Sequence, residues 1–325
     1  MHSPSDVTPN VESAAAFSER HCCPFCSSTS DEALTRIRYH ETVGAQRELP
    51  DVQGALLACR DCGIAYPSHV YSLEHFSIFY RRLIQRQIHF HRSKLQRLRV
   101  LFLREILRNR AKRFSFSSFL DGATLHALLV PLFRRESGPL RVLDVGAGFG
   151  DFAQAFRSLG DRVETTEIVP ELVEYLRGLG FRSHLGELEH VGLEGSEFDL
   201  IFMRGTLYRT RDPAATIETA QRLLSPRGVI ASLDTCPGPD GAEYWARMQF
   251  PQGQFYIIDR ARYRSMLRER FGLRVDRELL IYGRPESHLK DVRIFGTLLE
   301  FGEMFLNNLA RRKPFVLAYS LIPLR

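Results

Sequence analysis

From about residue 139 onward, short apolar runs alternate with stretches of helical spacing. Val142-Leu-Asp-Val145 is apolar apart from one acid, the pattern of a strand buried on both faces. Phe198-Asp-Leu-Ile201 and Val229-Ile-Ala-Ser-Leu-Asp234 repeat that pattern, and Val163-Glu-Thr-Thr-Glu167 is a more polar strand of the same kind. Between them, Asp151–Phe156, Ala214–Leu224 and Asp259–Phe271 read as helices, and Arg274–Ile281 and Pro314–Ile322 as closing strands. Strands alternating with helices predict an α/β unit with a mostly parallel sheet. Upstream, Ala55-Leu-Leu-Ala58 is strand-like, and Arg81–Arg113 places apolar residues three and four apart, which predicts an amphipathic helix.

The first strand breaks into Gly146-Ala-Gly148-Phe-Gly150 and then into a helix. Glycines there let the backbone turn tightly and let a ligand lie against it. The spacing is GxGxG rather than the GxGxxG that seats a pyrophosphate on a helix N-terminus. Glu167 ends the second strand, 23 residues after Asp144. A carboxylate at that strand end suits two ribose hydroxyls, so the pattern points to a nucleoside cofactor without phosphates.

Six cysteines sharpen the picture, because five lie before residue 63. Cys23-Pro-Phe-Cys26 and Cys59-Arg-Asp-Cys62 are two CxxC pairs, each able to form a knuckle presenting two thiolates to one ion. Soft thiolates select zinc or iron, and structural zinc is the reading taken here. Residues 1–17 lack a basic segment followed by an apolar core, so disulfides are not expected and the chain is expected to be cytoplasmic. Cys22 reads as a spare thiol, although it or His21 could replace a neighbour, and Cys236 as a small packing residue.

In several motifs at once, the chain resembles the class I S-adenosylmethionine-dependent methyltransferases. Val142-Leu-Asp-Val-Gly-Ala-Gly-Phe-Gly150 is similar to the family's first motif, Glu167 to its ribose acid, and Gly186-Glu-Leu-Glu189 to the residues flanking adenine. Asp212-Pro213, a helix, and Ser225-Pro-Arg-Gly228 are similar to its segment before the fifth strand. The resemblance implies a Rossmann-like, mostly parallel seven-stranded sheet with an antiparallel C-terminal strand. It also implies S-adenosylmethionine held by Asp144, Gly146, Ala147, Gly148, Gly150, Glu167, Ile168, Glu187, Leu188 and Arg204. One subgroup carries an N-terminal zinc ribbon and an aromatic-rich helical linker, implying zinc on Cys23, Cys26, Cys59 and Cys62. The organisation expected is a disordered tail over 1–21, a zinc ribbon over 22–68, a basic helical segment over 69–135, and the cofactor domain over 136–325.

Many relatives have Glu-His or a lone His after the fourth strand, where this chain has Tyr208-Arg209. Tyr208 is therefore read as orienter or weak base, and Arg209 as an anchor for substrate charge. His126 could also reach the site. Charge bears on the partner. The net charge of +6 comes largely from Arg81–Arg113, which has twelve Lys or Arg against one acid, Glu105. That suits either a solvated helix face or capture of an anionic partner. The acceptor expected is a small or carrier-linked anionic metabolite. RNA base methylation is the enzyme alternative, and a non-catalytic cofactor-binding scaffold the alternative of another class. Tyr244, Trp245, Met248, Phe250, Phe255 and Tyr256 suit either a core satellite or a substrate lid, and residues 283–313 read as an insertion. No apolar run is long enough to cross a bilayer.

Overall fold

The computed structural model describes residues 17–39, 42–43, 46–47, 52–72, 139–158, 160–193, 195, 197–235, 238–248, 255–282 and 314–324. The basic Arg81–Arg113 stretch, His126, Cys236, Phe250 and the 283–313 insertion lie outside those residues, as do the side chains of Tyr244, Trp245 and Met248.

The amino-terminal strands are β1 (Phe17–Glu19), β2 (Asp31–Tyr39), β3 (Thr42–Val43), β4 (Gln46–Arg47), β5 (Val52–Cys59), β6 (Ile64–Pro67) and β7 (His69–Tyr71). The α/β unit follows: β8 (Arg141–Val145), α1 (Asp151–Ser158), β9 (Arg162–Glu167), α2 (Pro170–Gly178), β10 (Arg182–Leu185), β11 (Phe198–Arg204), α3 (Pro213–Arg222), β12 (Leu224–Thr235) and α4 (Gly238–Met248). It closes with β13 (Tyr256–Ile257), α5 (Arg260–Phe271), β14 (Leu273–Tyr282) and β15 (Pro314–Pro323).

Seven strands form the central sheet in the order β10-β9-β8-β11-β12-β15-β14. The first five pair in parallel, and β15 is antiparallel to both neighbours. Strand order reverses between β8 and β11, so a crevice opens at their carboxyl ends, where open α/β sheets bind ligands. The middle strands are buried on both faces: Val142, Leu143, Leu200, Ile201, Phe202 and Ala231 are all fully enclosed. This is why their sequences read as apolar runs rather than alternating ones.

Local signals set the helix ends. Asp212 accepts the Ala215 amide at 2.9 Å and Pro213 opens α3, while Asp259 accepts the Ala261 amide at 2.9 Å and the Arg262 amide at 3.1 Å at the start of α5. Gly272 ends α5 in the left-handed region, φ 60°. Ser225–Gly228 is a strand irregularity in β12 rather than a loop before it. Leu224 already pairs with Phe198, and the register shifts before Val229 pairs with Leu200. The close approach needs Gly228, whose Cβ would stand 2.6 Å from the Phe198 carbonyl oxygen.

The amino-terminal part departs from a free tail and a separate ribbon. Phe17–Glu19, expected within the tail, pairs with His69–Tyr71 because β7 offers it an open edge. The ribbon sheet has the order β13-β6-β5-β2, so its edge is a strand from between α4 and α5, nearly 190 residues away in sequence. Phe255 and Tyr256 are 2% and 1% exposed, which makes them core for the ribbon and not a lid. Cys23, Phe25, Cys59, Cys62, Ile64 and Tyr66 share one apolar core with Leu143, Val145, Met203 and Leu267.

Candidate active site

The carboxyl ends of β8, β9 and β11 wall a cavity of about 380 Å³. From β8, its turn and the start of α1 come Asp144, Gly146, Ala147, Gly148, Phe149 and Phe152. Thr166, Glu167, Ile168, Glu187 and Leu188 form a second wall, and Arg204, Gly205, Thr206, Arg209, Thr210 and Thr216 a third. Of the ten residues read from the sequence as cofactor-binding, nine line this cavity. Gly150 does not: it turns the chain at φ +71°, and its missing Cβ makes room for Leu176, which would otherwise stand 2.5 Å away. Gly148, at φ +57°, faces open space on its Cβ side, so the backbone is bare toward the cavity.

Glu167 is held firmly. Its Oε2 accepts the Gly148 amide at 3.0 Å, and its Oε1 accepts those of Ile168 at 2.7 Å and Val169 at 3.3 Å. Burial pushes its carboxyl up and the three amides pull it back down. Glu187 is raised too, by burial and then by the neighbouring Glu189. On the third wall, Arg204 lies over the Phe152 ring at 5.3 Å and Arg209 over the Tyr208 ring at 5.1 Å. Arg209 lines the cavity, whereas Tyr208 is a step behind it, its hydroxyl packed over Gly205.

Thr206, Thr210 and Thr216 have no signal in the sequence as cavity residues. Thr206 Oγ1 donates to the Val145 carbonyl at 2.9 Å and occupies the space a Cβ on Gly146 would need, 2.6 Å away. A glycine and a threonine 60 residues apart thus fit together, which only the fold reveals.

Behind the cavity, Asp234 is 3% exposed and accepts Tyr319 Oη at 2.6 Å and Ser232 Oγ at 2.7 Å. Tyr319 and Tyr263 hydroxyls meet at 3.0 Å. Burial pushes the Asp234 carboxyl up to about 6, against the hydrogen bonds that favour its charge.

The four knuckle cysteines converge. Their sulfurs lie within 4.8 Å of one another, with Cys23–Cys62 and Cys26–Cys59 each at 3.5 Å. A tetrahedral zinc–thiolate site, with Zn–S near 2.3 Å, has sulfur–sulfur edges of about 3.8 Å, so the set fits one such ion. The hydrogen bond from Cys62 draws the Cys23 thiol down to about 6, burial pushes Cys26 up to about 12, and the bond to Cys23 together with burial raises Cys62. These thiols compete for one negative charge, a conflict that a central cation removes.

Residues 91–278, more than half of the chain, match the family described as "Methyltransferase domain". The chain belongs to that family. Its parallel sheet and crevice are those of the class I S-adenosylmethionine-dependent methyltransferase fold. The methyltransferase is 32% identical over 140 residues to the ubiquinone biosynthesis O-methyltransferase of Xanthomonas oryzae pv. oryzae, covering 39% of this chain and 58% of that one. It is 30% identical over 122 residues to the malonyl-[acyl-carrier protein] O-methyltransferase of Yersinia pestis, covering 37% and 45%. The chain thus spans about half the length of the curated relatives it matches. Among solved structures it is similar to an S-adenosylmethionine-dependent methyltransferase from Mesorhizobium loti, with TM-score 0.41 and 18% identity over 59% of this chain and 94% of that one. It is also similar to the CcbJ methyltransferase from Streptomyces caelestis, with TM-score 0.32 and 22% identity over 36% and 50%. Among the described residues no helix is long and apolar enough to cross a membrane.

Asp234 gives the fold a pH signature. Its carboxyl is raised to about 6 when folded, so the native state holds a proton that the unfolded chain releases from about pH 4 upward. Stability therefore falls as pH rises through that window, by about 2–3 kcal/mol. Urea unfolding at pH 4.5 and at pH 7 is expected to show a loss in the wild type to which the raised Glu167 and Glu187 also add, and Asp234→Asn is expected to make that loss smaller by about this amount. A variant that tracks the wild type at both pH values contradicts the assignment.

Proposed function

We propose that this methyltransferase acts on a small or carrier-linked anionic metabolite, with the cofactor on the glycine-turn half of the cavity and the acceptor on the Arg204–Thr210 half. The observation that carries this reading is the pair Arg204 and Arg209 in one cavity with the buried Glu167 and the half-buried Glu187. Two guanidinium groups on one wall suit a carboxylate or phosphate, which they can bind through two parallel hydrogen bonds. The name of one relative, malonyl-[acyl-carrier protein] O-methyltransferase, fits the carrier-linked part of this reading.

When bound, S-adenosylmethionine supplies a sulfonium methyl that is already electrophilic. The chain's own work is then to bind, align and exclude water. Glu167 would receive ribose hydroxyls, and Glu187 and Leu188 would flank the adenine. The Asp144 wall and the bare Gly146–Gly148 backbone would lie along the amino-acid end, with Arg204 standing between that end and the acceptor half. Glu167 suits its role because it is an acceptor held by three N–H donors. A glutamine there would turn an NH2 against one of them. Arg209 would fix the acceptor's charge in line with the methyl. Tyr208, behind Gly205, would orient this turn rather than touch the acceptor. Cys23, Cys26, Cys59 and Cys62 would hold one structural zinc ion, since four protein thiolates leave no open position.

The functional test is labelled-methyl transfer into an anionic metabolite extract and, in parallel, into total RNA. Label is expected in the metabolite fraction, with incorporation reduced by high salt and by Arg209→Ala, because both weaken capture of a charged acceptor. Label in RNA alone overturns the substrate class.

Calorimetry with the demethylated cofactor, S-adenosylhomocysteine, tests the nucleoside half. Glu167→Ala is expected to weaken binding by about 1.5–3 kcal/mol, the scale of hydrogen bonds to a charged group. Equal affinity in the variant removes Glu167 from the ribose.

Metal analysis of desalted protein is expected to give about one zinc per chain, and Cys59→Ser is expected to lose it. A metal-free wild type sinks this part of the reading.

A further inference from the structure

Among the described residues, the ribbon reaches the back of the turn that carries Arg209. Arg20 is tied into the ribbon through its amide, which donates to the Ser68 carbonyl at 2.8 Å. Its guanidinium donates from Nη2 to the Arg211 carbonyl at 3.0 Å and lies 5.2 Å over the Phe255 ring. The Phe255 amide in turn donates to the Tyr208 carbonyl at 2.7 Å. Phe25, between the two cysteines of the first knuckle and 2% exposed, meets Phe255 edge-on at 5.2 Å and Tyr263 at 6.0 Å.

The consequence is a clamp with two grips. The carbonyls of Tyr208 and Arg211 are both taken by ribbon-anchored donors, and the two residues between them, Arg209 and Thr210, line the cavity. Within the turn the Arg209 amide donates to the Thr206 carbonyl at 2.8 Å and the Thr210 amide to the Leu207 carbonyl at 3.3 Å, and the sheet adds a bond from Thr206 Oγ1 to the Val145 carbonyl at 2.9 Å and one from the Tyr208 amide to Asp234. A three-residue 3-10 turn is weakly held by itself. The other walls are fastened differently. The Gly146 and Ala147 amides donate to the Thr166 carbonyl at 3.0 and 3.1 Å, and the Gly186 amide to that of Glu167 at 3.0 Å, all within the seven-stranded core.

We propose that Arg20 and Phe25 are positioning residues for the acceptor half of the site: they set where Arg209 and Thr210 stand, and the cysteine ribbon serves as the template for acceptor recognition. This rests on the reading that the Arg204–Thr210 wall takes the acceptor. Cys23 and Cys26 fix Phe25 on both sides, so knuckle geometry passes through Phe25 and Phe255 to the turn. Arg20, outside the knuckle, provides the second grip independently of the metal ligands.

Hydrogen exchange followed by mass spectrometry on the full, metal-loaded chain tests this, with S-adenosylhomocysteine affinity measured in parallel. The variants are Arg20→Ala and Phe25→Leu, the first leaving every cysteine and the residues between them untouched. The amides of residues 205–212 are expected to exchange about five- to ten-fold faster, the scale of one lost hydrogen bond. Those of 142–150 and 163–169 are expected to hold, with metal content unchanged and S-adenosylhomocysteine affinity within about two-fold. Unchanged exchange at 205–212 in Arg20→Ala overturns the clamp. Uniformly faster exchange across the sheet in both variants also overturns it and makes the ribbon a general stabiliser. Local loosening accompanied by a ten-fold loss of S-adenosylhomocysteine affinity instead overturns the acceptor-half reading beneath it, because the turn would then belong to the cofactor.

Discussion

One carbonyl joins the two halves of this molecule. The Gly63 oxygen accepts the amides of Ile258 at 2.9 Å and Asp259 at 3.0 Å, directly after the second cysteine knuckle and directly before α5. Only glycine permits it: φ is +69°, and a Cβ would stand 2.5 Å from the Asp259 carbonyl oxygen. From that contact β13 aligns on β6, Phe255 reaches the first knuckle, and Asp259 is placed to cap α5. Arg262 adds a bond to the Arg60 carbonyl and Arg270 one to Ser27 Oγ, so α5 lies along the ribbon for its whole length. The ribbon and the methyltransferase sheet therefore share a core rather than a linker.

The electrostatics of the crevice follow from where the strands end. Parallel strands bring Asp144, Glu167, Arg204 and Asp234 toward the same edge of the sheet. Burial there penalises charge, and Glu167 and Asp234 are met by different remedies. Glu167 is met by three backbone amides and Asp234 by two hydroxyls. The two arginines that line the cavity lie over aromatic rings, Arg204 over Phe152 and Arg209 over Tyr208. The cavity thus brings acidic and basic side chains together in one small volume.

Much of the central unit was legible in the chain because its signals are local. Apolar runs of strand length mark β8, β11 and β12. Asp212-Pro213 and Asp259 mark helix starts by capping chemistry, and the GxGxG turn marks the crevice through backbone conformation. Two pairs of cysteines, each with two residues between them, led to the expectation of one shared ion, and their sulfurs do converge. The apolar and aromatic residues after β12 were ambiguous for the opposite reason. Periodicity reports that Phe255 and Tyr256 are buried somewhere, not what buries them.

What the sequence determined by itself was thus the α/β class, the positions of the sheet's carboxyl ends, and the kinds of group that stand there, since all three depend on near neighbours in the chain. What only the tertiary structure decided was which distant segments meet. Phe17–Glu19 found β7, residues 256–257 found the ribbon's edge, Thr206 filled the space left by Gly146, and Arg20 came to hold the turn of Arg209. Those pairings satisfy backbone donors, acceptors and voids whose partners lie 50 to 190 residues away. No local pattern records such complementarity, because it exists only once the chain has closed on itself.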